Sequence, residues 1–113
     1  MNNKKTTIQL HAHLDEKNIP ETIRWESDDQ PVPIMQEAKA MMLALWDKQS
    51  RNGMSIDLWT KEMTIEEMNI FIYQSLLTMS DTFERATQNH KEASSLRDFA
   101  SSFLKSVQQQ NNS

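Results

Sequence analysis

The chain has no cysteine and a single glycine, Gly53, among 113 residues. The first absence removes disulfide frameworks and thiolate metal sites, and fits a reducing compartment. The second removes every Gly-rich phosphate loop and every G-x-S-x-G nucleophile turn, since each needs more than one glycine. Long apolar runs are missing too. Nowhere do eighteen apolar residues follow one another, and the first fifteen residues hold no stretch of signal-peptide type. A surplus of positive charge is also absent: 12 Lys and Arg are scattered among 16 Asp and Glu, for a net charge of -4. Binding phosphates takes a concentrated basic face, so no nucleic-acid partner is expected. These absences together give the expectation of a soluble cytoplasmic protein without direct membrane insertion.

What is present suits one small domain spanning residues 1–113. A chain of this length buries about 60% of the surface its unfolded form exposes. With 37% hydrophobic and 25% charged residues it lies well away from the disordered corner of composition space.

The stretch around which the rest is organised runs from Ile56 to Thr87. It reads as a strand ending near Lys61, a short break, and a long helix over about 65–88. Thr64 is a suitable N-cap and Glu67, three residues on, completes a capping box in which each side chain satisfies a backbone donor of the other. Ile65, Met68, Ile72, Leu76, Met79, Phe83 and Ala86 then recur in steps of three and four, one stripe of a 3.6-residue helix. A second helix over about 90–107 opens near Asn89 with Glu92 as capping partner. Its stripe is Ala93, Leu96, Ala100, Phe103, Leu104 and Val107, with Phe99 beside it. Joined by a short polar link, the two helices should lie antiparallel. Residues 108–113 form a polar QQQNNS tail with nothing to bury.

Upstream, Ile8, Leu10, Ala12 and Leu14 alternate with Thr7, Gln9, His11 and His13, the period-two pattern of a half-buried strand over about 6–15. The EKNIP segment carries the turn signals, and a second strand over about 22–27 follows as the other arm of a hairpin. Asp28 to Pro33 is a loop by composition. Met35 to Trp46 is made of strong helix formers and could be one helix; because the hairpin that follows needs a first arm, a strand is placed from Met41 and a helical turn is allowed over Met35 to Ala40. Strands over about 41–47 and 54–61 make a second hairpin. A turn at Asn52-Gly53 would set Trp46 against Trp59, and a loop over Lys48 to Gly53 would set Met42 against Trp59. Both registers leave Met41, Leu43, Leu45, Met54, Ile56 and Leu58 on one face and Met42, Ala44, Trp46, Ser55, Asp57 and Trp59 on the other. The fold expected is α+β: a four-stranded, mainly antiparallel sheet of two hairpins, with two C-terminal antiparallel helices packed on one face. The face offered to the helices carries Ile8, Leu10, Trp25, Leu43, Leu45, Ile56 and Leu58.

The string IDLWTKEM from Ile56 to Met63, then Met68, Phe71, Gln74, Leu76, Met79 and the run DTFERAT from Asp81 to Thr87, resembles the gliding motility protein GldC family of Bacteroidota. KAMMLALWD from Lys39 to Asp47 is similar to the same family, and the likeness covers about Leu14 to Phe103. The resemblance implies an accessory cytoplasmic component of gliding. It implies no catalytic residue and no cofactor. The family-like positions are Asp57, Leu58, Trp59, Thr60 and Lys61 in the first string, and Asp81, Thr82, Phe83, Glu84 and Arg85 in the second.

Four constellations invite a functional reading. His11, His13 and Asp15 stand at alternate positions, an H-x-H-x-D row whose imidazole and carboxylate groups suit zinc or another divalent ion. The plainer account is a solvated outer face, because no further ligand completes the set. The acid pairs Asp28 and Asp29, Glu66 and Glu67, and Asp81 and Glu84 lack the convergent groups that acid catalysis requires. Glu66 and Glu67 are better explained by the positive end of the helix dipole. The remaining polar residues of DTFERAT suit capping or an ion pair between elements. Met42, Trp46 and Trp59 share the sheet face turned from the expected helices, and Trp and Met are enriched where proteins meet. They are covered either by the chain itself, with Met35 to Ala40, or by another protein of the gliding machinery or a second copy as a homodimer. The sequence thus points to a non-enzymatic docking protein first and to a metal-dependent or small-ligand enzyme on the His11, His13 and Asp15 row second. A membrane-surface role ranks below both, since the helices lack basic flanks.

Overall fold

A computed structural model describes residues 4–29 and 34–111. The loop expected over Asp28 to Pro33 and the polar ends fall partly outside them. The described chain is α+β with five strands and two helices: β1 (Ile8–Leu14), β2 (Pro20–Ser27), β3 (Gln36–Ala38), β4 (Ala40–Asp47), β5 (Asn52–Trp59), α1 (Ile65–Thr87) and α2 (His90–Asn111). It divides into two compact units, residues 1–63 and 64–113.

In the strand unit, β1 and β2 pair antiparallel, with Leu10 opposite Trp25 and Ala12 opposite Ile23. The turn between them is organised by Asp15, whose carboxylate accepts from the backbone N–H of Lys17 at 2.8 Å and of Ile19 at 2.9 Å. Asn18 takes the left-handed conformation there, at φ 63°, which asparagine tolerates better than most residues.

The next segment corrects the sequence reading. Residues 36–38 are extended, and the helical turn expected over Met35 to Ala40 does not form. Ala38 instead pairs with Ile23, Glu37 with Arg24 and Gln36 with Trp25. A ladder partner in β2 outweighs a helix propensity of a few tenths of a kcal/mol per residue. Hence the sheet is not one of four strands. The order β1-β2-β3 makes a three-stranded sheet and β4-β5 a separate two-stranded ribbon.

Lys39 marks the change of partner. Its carbonyl accepts from the Thr60 N–H at 2.8 Å and from Thr60 Oγ1 at 3.0 Å, so the chain leaves the ladder with β2 and enters one with β5. Thr60 is 3% exposed; its hydroxyl is satisfied by that same carbonyl.

The ribbon turns over residues 48–51, so that the partner of Trp59 lies six residues earlier than an Asn52-Gly53 turn would require. Asp47 accepts from the Ser50 N–H through its side chain and from the Arg51 N–H through its carbonyl. Arg51 supplies the left-handed residue at φ 54°. Trp46 therefore faces Gly53, Leu45 faces Met54 and Trp59 faces Ala40. Neither expected register forms, yet the division of residues between the two faces is kept, because this register differs from both by an even number of positions.

In the helical unit the capping box forms. Thr64 Oγ1 accepts from the Glu67 N–H at 3.0 Å and the Glu67 carboxylate accepts from the Thr64 N–H at 3.1 Å. Helix α1 ends in a left-handed Gln88, φ 59°, whose N–H bonds back to the Glu84 carbonyl. The Asn89 side chain accepts from the Glu92 N–H at 3.1 Å and so caps α2. That helix continues to Asn111, through residues expected to belong to the polar tail. The two helices pack on one another through small residues: Ser80, Ala93 and Ala100 are fully buried. Ser80 Oγ donates to the Leu76 carbonyl at 2.8 Å, which removes the cost of burying a hydroxyl. Ile65 and Met79 lie outside the packed stripe and are exposed, as is Phe99 on α2.

Candidate functional site

The β4-β5 ribbon carries the candidate site. Strands pair only with each other here, so alternate residues along both arms divide between two faces. On one face stand Met42, Trp46 and Trp59, at 44%, 72% and 60% exposure. On the opposite face Leu45, Met54 and Ile56 are exposed as well. A ribbon apolar on both sides is unusual, because a two-stranded hairpin cannot hide its own side chains. Among the described residues the Met35 to Ala40 segment leaves Trp46 and Trp59 open to solvent. Of the family-like string, Asp57 lies exposed opposite Met42 and Leu58 is half-buried opposite Met41. Thr60 makes the buried link to Lys39 already described, and Lys61 pairs with Asp15 at 3.0 Å.

The H-x-H-x-D row does not survive as a row. The register slips between His13 and Leu14, and Asp15 lies beyond the end of β1 in the turn. Its carboxylate is occupied by the two backbone N–H groups and by Lys61. The Ile19 N–H first, and then Lys61, hold its pKa below the ordinary carboxylate value. His11 is half-buried, with Nε2 buried and unpartnered, and His13, on the same side of the slip, is exposed. No group of three His, Asp or Glu side chains able to hold a metal ion occurs among the described residues. The acid pair Glu66 and Glu67 sits in the first turn of α1, where it meets the helix dipole.

Two polar residues of DTFERAT, Asp81 and Glu84, are accounted for by Arg97, which sequence reasoning did not single out. Its guanidinium donates to Asp81 Oδ1 at 2.8 Å and to Glu84 Oε1 at 2.9 Å, clamping α2 to α1. Glu84 also meets His90 Nδ1 at 3.0 Å. The Arg97 guanidinium foremost, then His90, lowers the Glu84 pKa to about 2, and the same acids raise that of Arg97. The signal was present in outline: Asp81 and Glu84 lie one turn apart on α1, and Arg97 adjoins the apolar stripe of α2. Thr82 is exposed, Phe83 is half-buried and Arg85 is exposed in the last turn.

A hollow in the strand unit is lined by Glu21, Thr22, Ile23, Glu37, Ala38, Lys39, Thr60 and Glu62. Among the described residues, no helix is long and apolar enough to cross a membrane.

A family model described as gliding motility-associated protein GldC-like covers residues 20–109. No curated protein and no solved structure matches the chain.

Proposed function

Because the chain belongs to the GldC-like family of gliding motility-associated proteins, we propose that it is a non-enzymatic accessory protein that works by docking through the Met42, Trp46 and Trp59 face of the ribbon. The observation that carries this reading is the exposure of both indoles, 72% and 60%, on one side of a two-stranded element. Indole and thioether side chains concentrate binding energy when a partner desolvates them. Each Å² of apolar surface so covered contributes about 25 cal/mol before the costs of association.

The partner on this reading is another protein of the gliding machinery, met in the cytoplasm of a member of the Bacteroidota. The role needs no cofactor and no catalytic group. The test is Trp46→Ala introduced in the native cell, with colony spreading and co-purified partners measured. Trp46 is exposed, so the variant should fold with an unchanged circular dichroism spectrum while losing its partner at least tenfold. Wild-type spreading with the partner retained would remove this face from the function.

A further inference from the structure

We infer that β5 is a pairing edge, and that its occupant is the β5 strand of a second copy of this chain, joined antiparallel about a two-fold axis at Ile56. This inference rests on the reading of the ribbon as a docking element and specifies a partner for its free edge.

The ladder phase gives the first argument. Thr60 donates its N–H to the Lys39 carbonyl, in register with Met41 opposite Leu58 and Leu43 opposite Ile56. In an antiparallel ladder, pairs alternate between those that exchange hydrogen bonds and those that do not. Thr60, Leu58, Ile56 and Met54 are therefore turned toward β4. The N–H and C=O groups of Gly53, Ser55, Asp57 and Trp59 are turned away. The Gly53 N–H donates to the neighbouring Asn52 side chain at 3.1 Å; no strand pairs with that outer edge among the described residues, since β4-β5 is a two-stranded sheet. Free edges are normally blunted by Lys, Pro, a bulge or an inward charge. From Asn52 to Trp59 there is no Lys and no Pro, and the register is unbroken. All of β5 except Leu58 is exposed, whereas β4 has four of its eight residues half-buried, so β5 is the more accessible arm.

The second argument is Gly53. It is the chain's only glycine, yet its backbone does not take positive φ, and a Cβ there would meet nothing within 4 Å. Neither backbone conformation nor packing within the chain calls for glycine at this position, and in a strand glycine is a cost. Pairing about Ile56 supplies a use: Gly53 then faces Trp59 of the second copy, a bulky ring over a residue without a side chain, as in the aromatic covering of strand glycines. The row across the joined sheet would read Trp46, Gly53, the second copy's Trp59.

The rest of the register is compatible. Met54 meets Leu58 and Ile56 meets itself on one face, while Ser55 meets Asp57 on the other. An axis at Asp57 would set two carboxylates against each other, and the axis at Ile56 avoids this. The two indoles alone present roughly 300 Å², a large share of the roughly 800 Å² per partner that a stable pair buries.

The test uses the absence of cysteine. In this register the two Ile56 residues form a pair without mutual hydrogen bonds, Cα atoms about 4.5 Å apart, within disulfide reach. Full-length Ile56→Cys should become a disulfide-linked dimer under mild oxidation. Met54→Cys should not, because its copies would lie about 13 Å apart along the strands. Unmodified protein should sediment at twice the 13.2 kDa monomer mass. Ser55→Pro, which deletes an outward N–H and leaves the β4 ladder whole, should sediment as monomer with its strand content kept. Should that variant fail to fold, the cysteine pair still decides the matter. A monomeric wild type without Ile56→Cys cross-linking would overturn the inference, and cross-linking of Met54→Cys or Ser55→Cys in place of Ile56→Cys would overturn the register. Loss of the cellular partner in Trp46→Ala alongside a monomeric wild type would leave the docking reading standing and the dimer refuted. Cross-linked dimers alongside unimpaired Trp46→Ala cells would do the reverse.

Discussion

In the helical unit the fully buried residues are Ser80, Ala93 and Ala100, all small; in the strand unit the large side chain without exposure is Ile23, at 1%, while Ile8, Leu10, Leu45, Met54 and Ile56 remain open. The helices thus come together closely enough that an alanine fills the contact, with the Arg97 clamp and two capped ends fixing their alignment. The strands gain less from their own side chains and spend their apolar surface outward. The contrast teaches that one short chain can close one unit through small residues and leave large apolar side chains of the other open to solvent.

The sharpest way to break that contrast is Ile23→Ala. Ile23 sits between Ala12 and Ala38 in the three-stranded sheet, and truncating so buried a side chain costs about 2–5 kcal/mol. Hydrogen exchange should show faster exchange of β1, β2 and β3 amides and unchanged protection in α1 and α2. Equal loss in both units would mean that they do not unfold separately. Next comes overpacking of the helical contact. Ala100→Leu should cost about 1–3 kcal/mol, read as a lower urea midpoint of the helical signal, and a neutral result would show room that the buried alanine does not suggest.

The smallest effect concerns acid. Glu84 is held at about 2 in the folded protein against 4.5 ordinarily, by Arg97 first and His90 second. A lowered carboxylate pKa adds stability that is fully present above the unfolded value and is lost as pH falls through the folded one. The helical thermal midpoint should therefore drop between about pH 4.5 and about pH 2. In Arg97→Met this acid slope should flatten. Asp15 and Asp47 are lowered too, through backbone N–H donors in the strand unit, so the slope removed by Arg97→Met isolates the clamp. An identical slope in both proteins would assign the acid sensitivity elsewhere.

What could be read in advance follows the range of the forces involved. Thr64 and Glu67 announce the start of α1 because capping is settled within four residues, and the alternation from Ile8 to Leu14 announces β1 for the same reason. The sidedness of the ribbon was legible because it depends only on parity. Gln36 to Ala38 was not, since its conformation is decided by β2, more than ten residues away. The turn was misplaced because Asn52-Gly53 is the stronger local signal, whereas Asp47 organises the loop through its own carboxylate and Arg51 accepts the left-handed backbone. The exposed indoles were foreseeable as a face, but Arg97 was hidden: nothing near it in the chain reveals that two acids of α1 lie beside it.

Lys39 has a mechanical consequence. Backbone passes from β3 to β4 through this one residue, without a loop, and the carbonyl of that residue is gripped twice by Thr60. A pull on the far end of the ribbon would reach the β2 ladder through the bend at Lys39, with no loop between to absorb it. The ribbon is therefore hinged to the sheet at a single bent residue, and the two Thr60 bonds are what hold that joint.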